Sequence, residues 1–397
     1  MADDQIKERI RKEVDCLSEA LWDMALEMHR DPEIGHQEHK AATLLADFLC
    51  DHGFAVERGV AGMQTSFRAS WGDGEGPTVA ILAEYDALPG MGHACGHNII
   101  GTAGIGAGVA LKRALEASGP GLQGTVLVLG TPAEEGAVDD AGGKVLMVEE
   151  GLFDDVDCAM MIHPSTANGS RSTSLAREAM EITYHGKASH AAGSPDKGRN
   201  ALEAAMLTFN AWNALRQHLT DDVRIHGVIT EGGKAPNIVP DFTQIRMYVR
   251  ASDVDYLDEV VERVKDCARG AALGTGCQVE FRTTANRYAN LVSNGALADA
   301  YVGNFELLGE KIDNKPRAGG GSTDMGNVSQ VVPSIHPYVT IAPSGVAGHS
   351  TEFLEAAASE EGRRGMELGA AALAMTALDC LTDPALLRAA TEEFEAR

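Results

Sequence analysis

Three stretches constrain this chain more than any others: TVAILA at 78–83, TVLVL at 125–129 and CAMMI at 158–162. Each is apolar almost throughout and short. A half-exposed strand alternates polar and apolar residues, whereas a parallel strand buried on both faces reads as an unbroken apolar run. Between them lie two helix-like segments, one at 98–118 rich in small residues and one at 143–153. Strand, helix, strand, helix, strand is the order of a mostly parallel α/β sheet.

Each strand also stops at residues that carry chemistry. Asp86, Cys95 and His97 follow the first, Glu134 and Glu135 the second, and His163 the third. A further strand expected at 338–341 is followed by His349. In open α/β sheets ligands bind outside the carboxyl ends of the strands. Taken singly, each residue has a plainer explanation: His97 or His163 as core or surface histidines, Cys95 as a small buried side chain, Glu134-Glu135 as a solvated pair at a helix start. Their shared position at strand ends favours one common site. Thiolate, imidazole and carboxylate together suit zinc, and also manganese or cobalt. Adjacent glutamates offer one metal ligand and one separate proton carrier, as a two-metal hydrolytic site needs.

The pattern changes in the middle of the chain. Strands at 178–184, 223–230, 241–250 and 278–283 alternate with helices at 198–218 and 254–272. That order, βαββαβ, is the ferredoxin-like split unit. It reads as an insertion, because helix and strand patterns of the first kind resume afterwards. The expected division is 1–176 for the first part of an α/β domain, 177–287 for the inserted domain and 288–397 for the second part. A long helix is expected over 350–381.

Charge and composition narrow the partners. There are 33 basic and 58 acidic residues, a net −25. A field of that sign disfavours nucleic acid and anionic membrane. No apolar run reaches transmembrane length. The opening MADDQIKERIRKEV reads as a charged amphipathic helix without a signal-like apolar run, so a cytoplasmic location is expected. Seven scattered cysteines do not form a disulfide framework. Two glycine-rich stretches offer little: GTAGIGAG at 101–108 lacks dinucleotide-loop spacing, and the run at 319–321 has no following G-K-[ST].

The longer motifs DALPGMGHACGHN, TPAEEG, GKASHAAGSPDKGRNA, APNIVP, GSTD and GHSTEF, with His163-Pro164, span most of the chain. Together they resemble the di-metal amidohydrolases that include aminoacylase, carboxypeptidase G, hippurate hydrolase and the indole-acetyl-amino-acid hydrolases. The wording AEYDALPG is most similar to the branch holding aminobenzoyl-glutamate hydrolase and a dipeptidase acting on β-alanyl dipeptides. The resemblance implies two divalent ions, Zn or Mn and in some cases Co, with Cys95 bridging, Glu135 and His349 completing one site, and His97 and His163 the other. It implies Glu134 as general base and acid, and Asp86 as the residue orienting a ligand. His190 would stabilise the oxyanion, often across a dimer interface, and Asn237 and Arg250 would bind the substrate. The inserted domain would serve as lid and dimerisation domain of a homodimer. Glu84 stands where aminoacylase-like branches have a metal-binding His, and Asn98 replaces an Asp, so His97 is expected to substitute and Glu84 not to bind metal. The expected reaction is cleavage of an N-acyl amino acid or dipeptide amide through a metal-activated water. The alternatives are a hydrolytic deaminase on the same metals and a catalytically silent binding protein.

Overall fold

The structure is a computed structural model and describes residues 2–72, 74–119, 123–136, 138–313 and 317–397. The chain divides into two units, Met1–Thr173 with Leu291–Gly319 and Asp324–Arg397, and Ser174–Asn290 with Gly320–Thr323.

The first unit is built on a six-stranded sheet. Its spatial order is Ala55–Arg58, Phe67–Gly72, Thr125–Gly130, Thr78–Ala83, Cys158–Met160 and Ser334–Ile335. The first two pairings are antiparallel and the remaining three parallel. Val79 to Ala83 are fully buried, as their unbroken apolar pattern predicts.

The helix His97–Glu116 lies directly on this sheet, and its glycines are the reason it can. A Cβ on Gly101 would come 2.8 Å from the Glu84 carbonyl oxygen, and one on Gly104 2.8 Å from that of Leu82. On another side of the same helix, a Cβ on Gly106 would meet Leu21 of the helix Ala2–Arg30 at 2.6 Å.

Short elements depart from expectation. The strand at 158–162 ends at Met160, and His163–Ser165 is a separate strand paired in parallel with Tyr338–Thr340. His163 is therefore held by a second small sheet. The single helix expected over 350–381 is two, Thr351–Ala356 and Glu360–Thr382. Ser359 starts the second by accepting the Gly362 N–H, a hydroxyl cap that helix periodicity alone does not reveal.

The second unit is a four-stranded antiparallel sheet in the order Gln278–Thr283, Ala176–His185, Phe242–Ala251, Arg224–Glu231. With Ala201–Leu215 and Val254–Thr275 this is the βαββαβ order expected. Met180, Ile182, Tyr184, Ile245, Met247 and Val249 alternate along two strands and share one core with Trp212, Leu257, Val260 and Val264 of the helices. Asn200 and Asp253 cap those helices, each accepting two backbone N–H groups. Gly320–Thr323, expected in the α/β domain, counts with this unit. The Leu175 N–H donates to the Gly321 carbonyl (2.9 Å) and Arg250 Nη1 to Ser322 Oγ (2.8 Å).

Among the described residues no single helix is long and apolar enough to cross a membrane; the bent pair Glu360–Thr382 and Pro384–Glu395 passes only jointly.

Candidate metal centre

Where the strand Thr78–Ala83 ends, the chain turns through Gly96, at φ +85°, and His97 opens the next helix. A Cβ on Gly96 would lie 2.8 Å from Pro164 Cγ, so the turn sits against the chain beside His163. His97 is fully buried, with Nδ1 2.9 Å from Asp86 Oδ1. The other Asp86 oxygen accepts the Glu135 N–H at 2.9 Å. One carboxylate thus orients a ring and the backbone of a neighbouring glutamate.

With Nδ1 on Asp86, His97 Nε2 is turned into the cluster. It faces Glu84 (3.6 Å), Glu135 (3.8 Å) and Glu134 (4.0 Å). His163 is held similarly: its Nδ1 meets the Pro164 carbonyl at 2.7 Å and its Nε2 faces Cys95 Sγ at 3.6 Å. His349 has a left-handed backbone, φ +59°, its N–H donates to the Ala94 carbonyl, and its Nε2 is 3.7 Å from Glu135 Oε1.

The ligand atoms of Cys95, His97 and His163 lie within 4.8 Å of one another, and so do those of Cys95, Glu135 and His349. Cys95 belongs to both groups. His97, Glu134 and Glu135 form a third group of the same compactness. His97 Nε2 and Glu135 Oε1 are buried without a hydrogen-bond partner. Buried polar atoms in that condition are costly unless a partner meets them. A thiol, imidazoles and a carboxylate around one point are the donor set of a divalent transition metal, so these residues fit such an ion.

The protonation balance has the same sense. Burial, then Glu84 and Glu135, hold the Glu134 carboxyl well above the usual range. Burial and Glu135 push the Cys95 thiol up, while burial and His97 bring His163 down to about 4. Cations drawn into such a cluster displace its protons.

Glu84, Glu134 and Asp324 form a fourth compact acidic group. It already holds a cation. Lys144 is fully buried, with Nζ paired to Glu84 and to Asp324 Oδ1 (2.6 Å), and its N–H donates to Asp324 Oδ2 (3.0 Å). Burial alone would discharge the amine, but Asp324 and Glu84 outweigh it and raise its pKa. Lys144 was not singled out from the sequence, and Asp324 entered only as the last residue of GSTD, with no role given. The available signal was a lysine in the first turn of a helix, where the dipole disfavours a cation.

In the second unit, Asn237 lies in a turn next to the segment that carries His190. His190 bridges to Ile238, and the Ala191 N–H donates to the Asn237 carbonyl at 3.0 Å. His190 Nδ1 accepts from the N–H groups of Ala192 (3.2 Å) and Gly193 (3.0 Å), which leaves its Nε2 outward. Arg250 is not brought to them. It sits near the far end of Phe242–Ala251, about 26 Å along the strand from Phe242. There Arg250 Nε lies 3.4 Å from His226 Nε2.

The profile of Peptidase family M20/M25/M40 matches residues 80–374. The chain is 40% identical over 405 residues to the mouse protein named Xaa-Arg dipeptidase, covering 99% of this chain and 93% of that one. It is 38% identical over 299 residues to a p-aminobenzoyl-glutamate hydrolase component of Escherichia coli, covering 70% of this chain and 59% of that one. The fold of an aminobenzoyl-glutamate utilization protein from Klebsiella pneumoniae matches with a TM-score of 0.73 at 20% identity, over 94% of this chain and 98% of that one. With a family profile covering most of its length and a relative 40% identical over nearly the whole chain, the chain belongs to Peptidase family M20/M25/M40.

Proposed function

We propose that this amide-bond hydrolase cleaves dipeptides or N-acyl amino acids, with Glu134 carrying the proton. The observation that supports this most is the sharing of Cys95 between two compact ligand groups, with Glu134 beside both. Cys95, His97 and His163 would hold one divalent ion and Cys95, Glu135 and His349 a second, as Zn, Mn or Co. When bound, such ions polarise the substrate carbonyl and make water more acidic.

The chain's own residues do the rest. Asp86 fixes His97 in the tautomer that turns Nε2 toward the site, and holds the Glu135 backbone. Glu134 takes a proton from the attacking water and returns it to the leaving amine. Burial, with Glu84 and Glu135 close by, raises its carboxyl above the usual range, the direction that favours returning a proton to a leaving amine. The roles of His190 as oxyanion donor and of Asn237 and Arg250 as substrate contacts rest on the motif resemblance. The dipeptidase name of the mouse relative supports a dipeptide substrate. All seven cysteines are free, which fits a cytoplasmic location.

The reading of the inserted unit as a lid and dimerisation domain is supported by an exposed apolar edge. Arg224–Glu231 is an edge strand with Val228 62% exposed, and Met206 and Leu207 are exposed on the helix Ala201–Leu215. An open apolar edge is a template for pairing with a second copy.

The reaction is tested with N-acyl amino acids, aminobenzoyl-glutamate, β-alanyl dipeptides and Xaa-Arg dipeptides, with Mn or Zn added. Release of the amino acid without ammonia is expected, abolished by chelator and restored by metal. Glu134→Gln should keep the metal and lose about 10²–10⁴-fold in kcat. Near-normal turnover by that variant, or ammonia as the product, would refute the assignment.

A further inference from the structure

Glu134 and Glu135 are presented by a strained turn. Ala133 has φ +57°, a left-handed conformation that costs an L-residue about 1–2 kcal/mol. Strain of this kind persists only where the surroundings hold it, and here they hold both faces of the residue. The Ala133 N–H donates to Glu38 Oε1 at 2.8 Å, and the Ala133 carbonyl accepts the Gly142 N–H at 2.7 Å. A Cβ on Gly35 would come within 2.9 Å of the Ala133 methyl, so the turn is also wedged by backbone.

Glu38 is an unusual residue to find there. It is fully buried at the head of the helix His39–Asp51, yet its side chain does not cap that helix. Its second oxygen accepts the Thr65 hydroxyl at 2.9 Å, and the Thr65 carbonyl accepts the Tyr85 hydroxyl at 2.5 Å. The carboxylate is thus fixed by a chain of buried hydrogen bonds and reaches across to the end of the strand Thr125–Gly130. Two residues further on, Asp86 holds the Glu135 N–H. Glu38 and Asp86 clamp the two ends of one short segment, and Glu134 lies between the clamped positions.

We propose that Glu38 is a positioning residue: by accepting the Ala133 N–H it maintains the left-handed turn that sets the directions of Glu134 and Glu135. This rests on the reading of those two glutamates as proton carrier and ligand. Release of the N–H removes the compensation for the strain, and the turn relaxes toward negative φ. The chain after it then leaves the direction that points both carboxylates into the cluster.

The test compares Glu38→Ala, Glu38→Gln, Ala133→Gly and the double variant Glu38→Ala/Ala133→Gly, each as full chain loaded with Mn. Steady-state kinetics and crystal structures of each are the readouts. Glu38→Ala should lose about 10- to 100-fold in kcat with KM within about twofold, and its Ala133 should leave positive φ. Glu38→Gln should stay within about threefold of wild type, because its amide oxygen still accepts the N–H. Ala133→Gly should restore most of the kcat lost in Glu38→Ala, since glycine adopts positive φ without penalty. Positive φ retained at residue 133 in Glu38→Ala overturns the proposal. So does a kcat loss that Ala133→Gly does not relieve, or one that Glu38→Gln shares. If the wild type cleaves none of the amides, the functional reading fails, and the φ of Ala133 still decides the clamp.

Discussion

Asp86 and Glu38 show how a buried carboxylate can hold backbone in place. Each accepts a backbone N–H from the segment 133–135 and each is buried. Their titration differs. Burial, and then the nearby Asp86, push the Glu38 carboxyl up to about 7, against about 4.3 in an unfolded chain. Between those values the folded chain keeps a proton that the unfolded chain has released. The stabilisation from this group is complete below about pH 4.3 and is lost as pH rises through about 7. Glu38→Gln cannot titrate, so its melting temperature should gain on wild type between pH 5 and pH 8, by the equivalent of on the order of 2–3 kcal/mol. A pH-independent difference between the two melting curves would contradict the shift. Lys144 also belongs to this scale: a buried cation between Glu84 and Asp324 balances acidic residues that are far apart in sequence.

At the scale of elements, the helix His97–Glu116 decides where its first residue can be. Its glycines let it approach the strand Thr78–Ala83 backbone to backbone, which fixes His97 over the strand ends. Glycine-to-alanine changes in helices gain about 1 kcal/mol from propensity. At Gly104 the added methyl meets the Leu82 carbonyl oxygen at 2.8 Å and Ala83 Cβ at 3.1 Å. Overpacking against a fixed strand costs about 1–3 kcal/mol, so Gly104→Ala should lower the melting temperature. Gly270, in the helix Val254–Thr275, has nothing within 4 Å of an added Cβ. Gly270→Ala should therefore raise it, by the equivalent of about 0.5–1 kcal/mol. Equal shifts from the two substitutions would show that propensity, not the close approach, governs the helix. The same scale explains the elements that the sequence left unassigned or ran together. Met325–Ser329 and Ser334–Ile335 are too short to show a period, and Ser359 divides what reads as one helix.

For the whole molecule, the exposed edge strand carries the clearest prediction. Val228→Lys places a charge on the Arg224–Glu231 edge, a device that blocks strand pairing. Light scattering should give twice the chain mass for wild type and a shift toward the single-chain mass for the variant; a single-chain wild type would rule out the homodimer. The chain's own sequence determined the fold class and most of the residues that the structure gathers at the strand ends. Buried parallel strands declare themselves by unbroken apolar runs, and strand-end residues converge because of how parallel sheets are built. Cys95, His97, Glu134 and Glu135 are local to two such ends, so their motifs were legible. Only the tertiary structure decided what surrounds them. Lys144 meets Asp324 across 180 residues and Glu38 meets Ala133 across 95. The strain at Ala133 and His349 is likewise invisible in a list of side chains. Such contacts arise from which elements pack together, and no periodicity along the chain encodes them.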